Sequence, residues 1–212
     1  MAQNLEQMIT QIMRKIPVVT RQQLITYLLI QTSASQSVIM DAISACAHNG
    51  SILISTNSRV TTREAYDVVR TVDLPYKFGL ICRLRGRLAI TAEAEDFLDC
   101  FWIILGLLPA SEDFILTSYT PLRMLFLDAG KNRFVQIARI RRGNELTCIS
   151  YLRSLPAPLP EEQFSMRRIA LVDDREVVDL LGEFGFTDFC LLDEDEPSHI
   201  RVLKDKELRI HG

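Results

Sequence analysis

The period at which apolar residues recur changes along this chain, and that change limits what it can fold into. Over residues 5–46 the spacing is helical in three successive runs. Leu5, Met8, Ile9, Ile12, Met13 and Ile16 form the first stripe, with Asn4 placed to cap it. Pro17 ends that run, because a residue before proline avoids the helical region. Thr20 and Gln23 have the spacing of a capping box and open a second helix, Arg21 to about Ile30, with Leu24, Tyr27 and Leu28 facing inward. Thr32-Ser33-Ala34-Ser35 is a turn. A third helix runs from Ser35 or Gln36 to Ala47, with Val38, Ile39, Ala42, Ile43 and Cys46 inward. Asn49-Gly50 stops it, glycine being suited to the left-handed position past a helix end. A hairpin follows, with Ser51–Ser55 as one strand, Asn57-Ser58 as the turn and Arg59–Thr61 as the return. Three helices and then a hairpin predict a winged helix-turn-helix, a scaffold that presents its third helix to the major groove of DNA.

On that reading the third helix turns Gln36, Ser37, Asp41, Ser44, Ala45 and His48 outward. Gln36, Ser37, Ser44 and His48 are candidate readers of base edges. Arg21, Arg59 and Arg63 are candidate phosphate anchors, with Arg14-Lys15 close to the end of the first helix. The third helix itself contains no Lys or Arg. Phosphate contact needs cations, so a second use of the same scaffold, dimerisation or docking of another protein, stands beside double-stranded DNA.

The remainder of the chain reads as α+β. Thr62 is placed to cap a helix carrying Ala65, Tyr66, Val68, Val69 and Val72, which Pro75 ends. Residues 74–90 fit a helix or irregular structure, and Arg83-Leu84-Arg85-Gly86-Arg87 reads as a solvated turn or a phosphate-facing patch. Thr91 caps a further helix that runs through Phe97, Leu98, Phe101, Trp102 (read as largely buried) and Ile104 to Leu108, with Glu93 and Glu95 in its first turn where the helix dipole favours acids. The period then becomes that of strands: Phe114–Tyr119, Arg123–Asp128, Arg133–Arg141 and Leu146–Leu152. A strand–helix–strand unit closes the pattern, with Ile169–Val172, a helix capped by Asp173 with Glu176 and ended by Gly185, and Phe189–Leu192 parallel to the first strand. Ile200–Leu203 is a candidate edge strand. The expected layout is a winged-helix domain at 1–73, a helical connector at 74–110 and a small mixed-sheet α/β domain at 111–212.

Composition removes several function classes. A net charge of −3 argues against a chain that coats nucleic acid by bulk charge. The charge is uneven, since residues 161–212 hold fourteen acids against seven bases and leave a mildly basic body before them. The five cysteines are scattered with no C-x-x-C pair, and three histidines lack ligand spacing, so neither metal nor cofactor is expected and reduced thiols in a cytoplasmic protein are. The N-terminus lacks a signal-peptide layout, and the apolar run 100–108 is too short to span a bilayer.

Two chemistries have partial counterparts in the residues. Ile169-Ala170-Leu171-Val172-Asp173-Asp174 is similar to the opening of a phosphoacceptor receiver domain, where paired acids hold Mg²⁺, but too little chain follows for the later strands such a domain needs. A helix at 91–108, a meander and then α/β elements also resemble the order of restriction-endonuclease-like nucleases. That chemistry needs an acid on one strand and an acid-x-Lys on its neighbour, whereas here Asp128 faces Gln136-Ile137-Ala138-Arg139. A non-catalytic protein is therefore expected; in a degenerate nuclease-like version Lys131, Arg133, Arg139, Arg141 and Arg142 would lie against phosphates. By element order, with Asn49-Gly50 through Thr61 as the best-matching piece, the chain resembles the replication-relaxation-like proteins of bacterial mobile elements. That resemblance implies a DNA-associated accessory role in plasmid or transposon maintenance.

Overall fold

A computed structural model describes residues 2–58, 65–71, 81–84, 87–107, 113–116, 122–128, 133–154, 165–192 and 200–203. The chain is α+β and divides into two compact units, Met1–Pro109 and Ala110–Gly212.

The first unit begins with α1 (Ala2–Lys15), β1 (Val18–Thr20), α2 (Arg21–Gln31) and α3 (Gln36–His48). Leu5, Ile9, Ile12, Met13 and Ile16 of the first stripe are all buried, and α1 packs on α3. Asn49 caps α3, and Gly50 follows at φ +78°, the left-handed position that the Asn-Gly pair announces. β2 (Leu53–Ser58) and β3 (Ala65–Arg70) then pair antiparallel, and β1 pairs with the other edge of β3, so the strand order is β1-β3-β2. β4 (Ile81–Leu84) and β5 (Arg87–Ile90) form a separate antiparallel pair. α4 (Ala92–Leu107) closes the unit, packing against α2 and β1. Thr91 caps it as expected, its Oγ1 accepting the Ala94 N–H at 3.2 Å.

Several expectations fail in this unit. Asn4, expected to cap α1, lies within it, and Asn57-Ser58, expected as a turn, continue β2 opposite Tyr66 and Ala65. Residues 65–70 are a central strand, not a helix, and 81–90 hold a strand pair where a helical connector was expected. The spacing of Ala65, Val68, Val69 and Val72 mimics a helical stripe. Val68 and Val69 are both fully buried because β3 is paired on both edges and covered on both faces, which erases alternation. Also, the buried positions of α3 are Ile39, Ala42, Ile43 and Cys46, while Val38 is exposed because it lies about 100° round the helix from Ile39. Trp102 is half-buried rather than largely buried.

The second unit is one six-stranded mixed sheet in chain order: β6 (Asp113–Leu116), β7 (Leu122–Asp128), β8 (Arg133–Ile140), β9 (Ser165–Val172), β10 (Asp188–Leu192) and β11 (Ile200–Leu203). β6, β7 and β8 make an antiparallel meander, β8, β9 and β10 run parallel, and β11 returns antiparallel at the edge. The expected strand at 146–152 is instead α5 (Glu145–Ser154). Parallel neighbours need a crossover, and α5 supplies it between β8 and β9. Its buried residues, Cys148, Ile149 and Leu152, have helical spacing. α6 (Glu176–Gly182) makes the next crossover, to β10. Both helices cover the same sheet face, where Cys148, Ile149, Leu152, Val178 and Leu181 pack with Ala138, Ile140, Ala170, Val172 and Phe189.

Candidate nucleic-acid interface

The α2–turn–α3 segment is fixed by local hydrogen bonds that the sequence announces in part. Thr20 Oγ1 accepts the Gln23 N–H at 3.0 Å, and Gln23 Oε1 accepts the Thr20 N–H at 3.0 Å, which completes the expected capping box. Gln23 is fully buried and does more than cap. Its Nε2 donates to the Leu98 carbonyl of α4 at 2.5 Å, tying the start of α2 to a helix 75 residues away. At the other end Thr32 Oγ1 donates to the Leu28 carbonyl at 2.7 Å and accepts the Ala34 N–H at 3.2 Å. The entry to α3 is therefore held before any ligand arrives.

With Ile39, Ala42, Ile43 and Cys46 against the core, Ser37, Asp41, Ser44 and His48 lie on the opposite side of α3, all exposed. Their spacing puts them within an arc of about 60° and along a row of about 16 Å. Gln36 is exposed in the first turn, off that row. Ser44 Oγ donates to the Met40 carbonyl at 2.8 Å, and the Ser35 and Ser37 hydroxyls lie 3.0 Å apart. Leu29 and Ile30 of α2 and Val38 and Met40 of α3 flank this surface, each about two-fifths exposed.

The candidate anchors are less concentrated. Arg21 is half-exposed, and its Nη1 meets the Asp67 carboxylate of β3 at 3.4 Å. Asp67 also accepts from Thr56 Oγ1 at 2.9 Å. Arg14 and Lys15 are exposed at the C-terminal end of α1. Arg59 and Arg63 lie outside the described residues. Ser37, Ser44 and His48 thus share one row, Gln36 stands beside it, and Arg21 is paired with Asp67 on β3.

A second charged cluster sits in the other unit, at the C-terminal ends of β8 and β9. Arg139 is buried and donates to the Asp173 carboxylate, to the Leu171 carbonyl at 3.3 Å and to the Ile140 carbonyl at 3.3 Å. Asp173 also accepts the Arg142 N–H at 3.2 Å, and the exposed Arg142 guanidinium pairs with Asp174. Asp174 Oδ1 accepts the Glu176 N–H at 3.1 Å, so Asp174 rather than Asp173 satisfies the start of α6. The N–H of Glu176, followed by the hydrogen bond from Arg142, lowers the Asp174 pKa below the ordinary aspartate value. The sequence missed that Asp173 is taken by an arginine 34 residues earlier. The acids suggested for a receiver-type metal site face guanidinium groups instead.

The nuclease-like positions show a similar pattern. Gln136 Oε1 accepts from Arg168 Nε at 3.1 Å, and Arg168 Nη1 donates to the Phe184 carbonyl at 3.2 Å near the end of α6. Gly185 adopts φ +75° there, and a Cβ on it would stand 3.2 Å from Arg168 Nη1. The side chain of Asp128 and residue Lys131 lie outside what is described; Arg133 and Arg141 are half-buried. Among the described residues, no group of three or more His, Cys, Asp or Glu is arranged to hold a metal ion. Burial raises the Cys148 and Cys190 thiols to about 12, which keeps both protonated and poor nucleophiles at neutral pH. No helix among the described residues is long and apolar enough to cross a membrane.

No family model, curated protein or solved structure matches this chain.

Proposed function

We propose that the first unit is a winged helix-turn-helix and that the chain is a non-catalytic, cytoplasmic DNA-binding accessory or regulatory protein. The observation that carries this reading is the strand order β1-β3-β2 around α1, α2 and α3, with a polar row exposed on α3. A short strand before the second helix and a hairpin after the third, both feeding one small sheet, leave α3 free along its outer side. A neutral recognition helix of this kind supplies hydrogen bonds, and the phosphate contacts come from its flanks. Arg21, Arg14 and Lys15 are the flanking cations within the described residues, and Arg59 and Arg63 belong to the segment joining β2 to β3. The resemblance to replication-relaxation-like proteins agrees with an accessory role on mobile-element DNA.

Electrophoretic mobility shift of the full chain with mixed-sequence duplexes, from about 50 mM to about 200 mM salt, tests this reading. A complex that weakens as salt rises is expected. Arg21→Ala, Arg59→Ala and Arg63→Ala should each weaken binding across sequences and lower the salt slope by about one. Absence of any complex at the low-salt end overturns the DNA reading.

A second reading, a protein-interaction or dimerisation scaffold, is favoured by the flanking Leu29, Ile30, Val38 and Met40, since a groove of phosphates gives four half-exposed apolar side chains little to bury against. The same preparation separates the two. A concentration-dependent dimer by analytical ultracentrifugation, lost in Val38→Ser with Met40→Ser and insensitive to DNA, supports the scaffold.

A further inference from the structure

The row on α3 contains one residue that no ordinary non-specific DNA contact would choose. Asp41 lies between Ser37 and Ser44 along the row, on the side of α3 away from the buried face, and so within the surface that would enter the groove. It is exposed, and among the described residues it has neither a hydrogen bond nor an ion pair. Its neighbours in the row are Ser37, Ser44 and His48, and α3 has no Lys or Arg at any position. A carboxylate there repels phosphates and lowers affinity for DNA in general. It gains only where the groove offers a donor.

We propose that Asp41 is the specificity-determining residue of the α3 surface and that it selects cytosine, accepting a hydrogen bond from the exocyclic N4 amino group in the major groove. The inference rests on the DNA reading above. In the major groove cytosine presents the N4 amino donor and no acceptor, whereas guanine presents two acceptors and thymine an acceptor beside its methyl group. Adenine offers a donor with an acceptor beside it, which suits an amide better than a carboxylate. A lone carboxylate between hydroxyls therefore discriminates against guanine and thymine by repulsion and against adenine by the lone pair on N7. Repulsion from wrong partners contributes as much to the discrimination as attraction to the right one.

Selection from randomised duplexes by the full chain at one fixed salt concentration tests the assignment. The enriched sites should share one invariant C·G pair. Replacing that pair in a selected duplex should weaken wild-type binding about tenfold, equivalent to about 1.4 kcal/mol. Asp41→Ala should bind the original and the replaced duplex equally, with affinity for unselected DNA raised. Asp41→Asn should move the preference at that position to A·T. Asp41 is exposed and unengaged, so both variants should keep the wild-type far-ultraviolet circular dichroism and unfolding midpoint. Duplex binding with no invariant C·G pair, or the same preference retained by Asp41→Ala, overturns the proposal and leaves the DNA reading standing. Binding of no duplex under any condition overturns both.

Discussion

The two units handle polar groups in opposite ways. On α3 the row from Ser37 to His48 is exposed, and its one carboxylate is unengaged among the described residues. At the ends of β8 and β9 the arginines are closed on partners within their own sheet: Arg139 on Asp173, Arg142 on Asp174. Counting cations along the chain favours the second unit as the phosphate-binding one. Pairing weakens that ranking, because a guanidinium already held by a carboxylate must be released before it can bind a phosphate, a cost that Arg21 on Asp67 in the first unit shares. What matters for recognition is which polar groups the fold leaves unspent.

Breaking the closed cluster should therefore cost stability, and altering the open row should not. Asp173→Ala removes the carboxylate from Arg139, whose side chain is only 2% exposed. Stripping one partner from a buried pair leaves a charge where water cannot reach it, and a loss of about 3 kcal/mol is expected in urea unfolding of the full chain. Asp174→Ala should cost less, chiefly the hydrogen bond it accepts from the Glu176 N–H at the start of α6, because the Arg142 side chain it pairs with is 77% exposed and water replaces the carboxylate. Equal losses in the two variants would show that the cluster acts as one network rather than as one buried and one surface pair.

Gln23→Leu is the matching test in the first unit. It removes the acceptor of the Thr20 N–H and the donor to Leu98, both buried, and about 2 kcal/mol should be lost. Ser37→Ala, on the exposed row 14 residues later in the chain, should stay within about 0.5 kcal/mol of wild type. If Gln23→Leu is as mild, the bond to α4 contributes little and the capping box alone sets α2.

Legibility in the sequence follows the range of the interactions. The capping box at Thr20, the stop at Asn49-Gly50 and the stripes of α1 and α2 are local, and each is readable from residues within a few positions. The strand–helix–strand unit over residues 169–192 is readable for the same reason. The patterns of β3 and α5 are set by distant neighbours, so local spacing mistakes a strand for a helix and a helix for a strand. β3 pairs with β1, more than 40 residues earlier, and packs on α2, and α5 exists because β8 and β9 lie parallel. Within the candidate site, the outward Ser37, Ser44 and His48 follow from helical spacing. The pairing of Arg21 with Asp67, 46 residues on, does not, nor does the capture of Asp173 by Arg139.

The smallest expected effect depends on pH. Asp188 at the start of β10 accepts from Arg167 Nε at 2.7 Å and from Thr187 Oγ1 at 2.9 Å. The hydrogen bond from Arg167 chiefly holds its carboxyl below the ordinary aspartate value, against partial burial that pushes it up. A carboxylate with a depressed native pKa stabilises the fold fully above its unfolded value of about 3.9, and the contribution is lost as pH falls through the native value. Asp188→Asn should therefore be less stable than wild type at pH 7, and the gap should close on acidification towards about pH 2. The gap produced by Gln23→Leu has no titrating partner and should stay nearly constant over the same range. If the Asp188→Asn gap also stays constant, the side chain contributes through its hydrogen-bond geometry, which an amide reproduces poorly, and charge on the sheet edge adds little. A closing gap would show that the second unit draws stability from its paired charges, which the open row of α3 has no means to do.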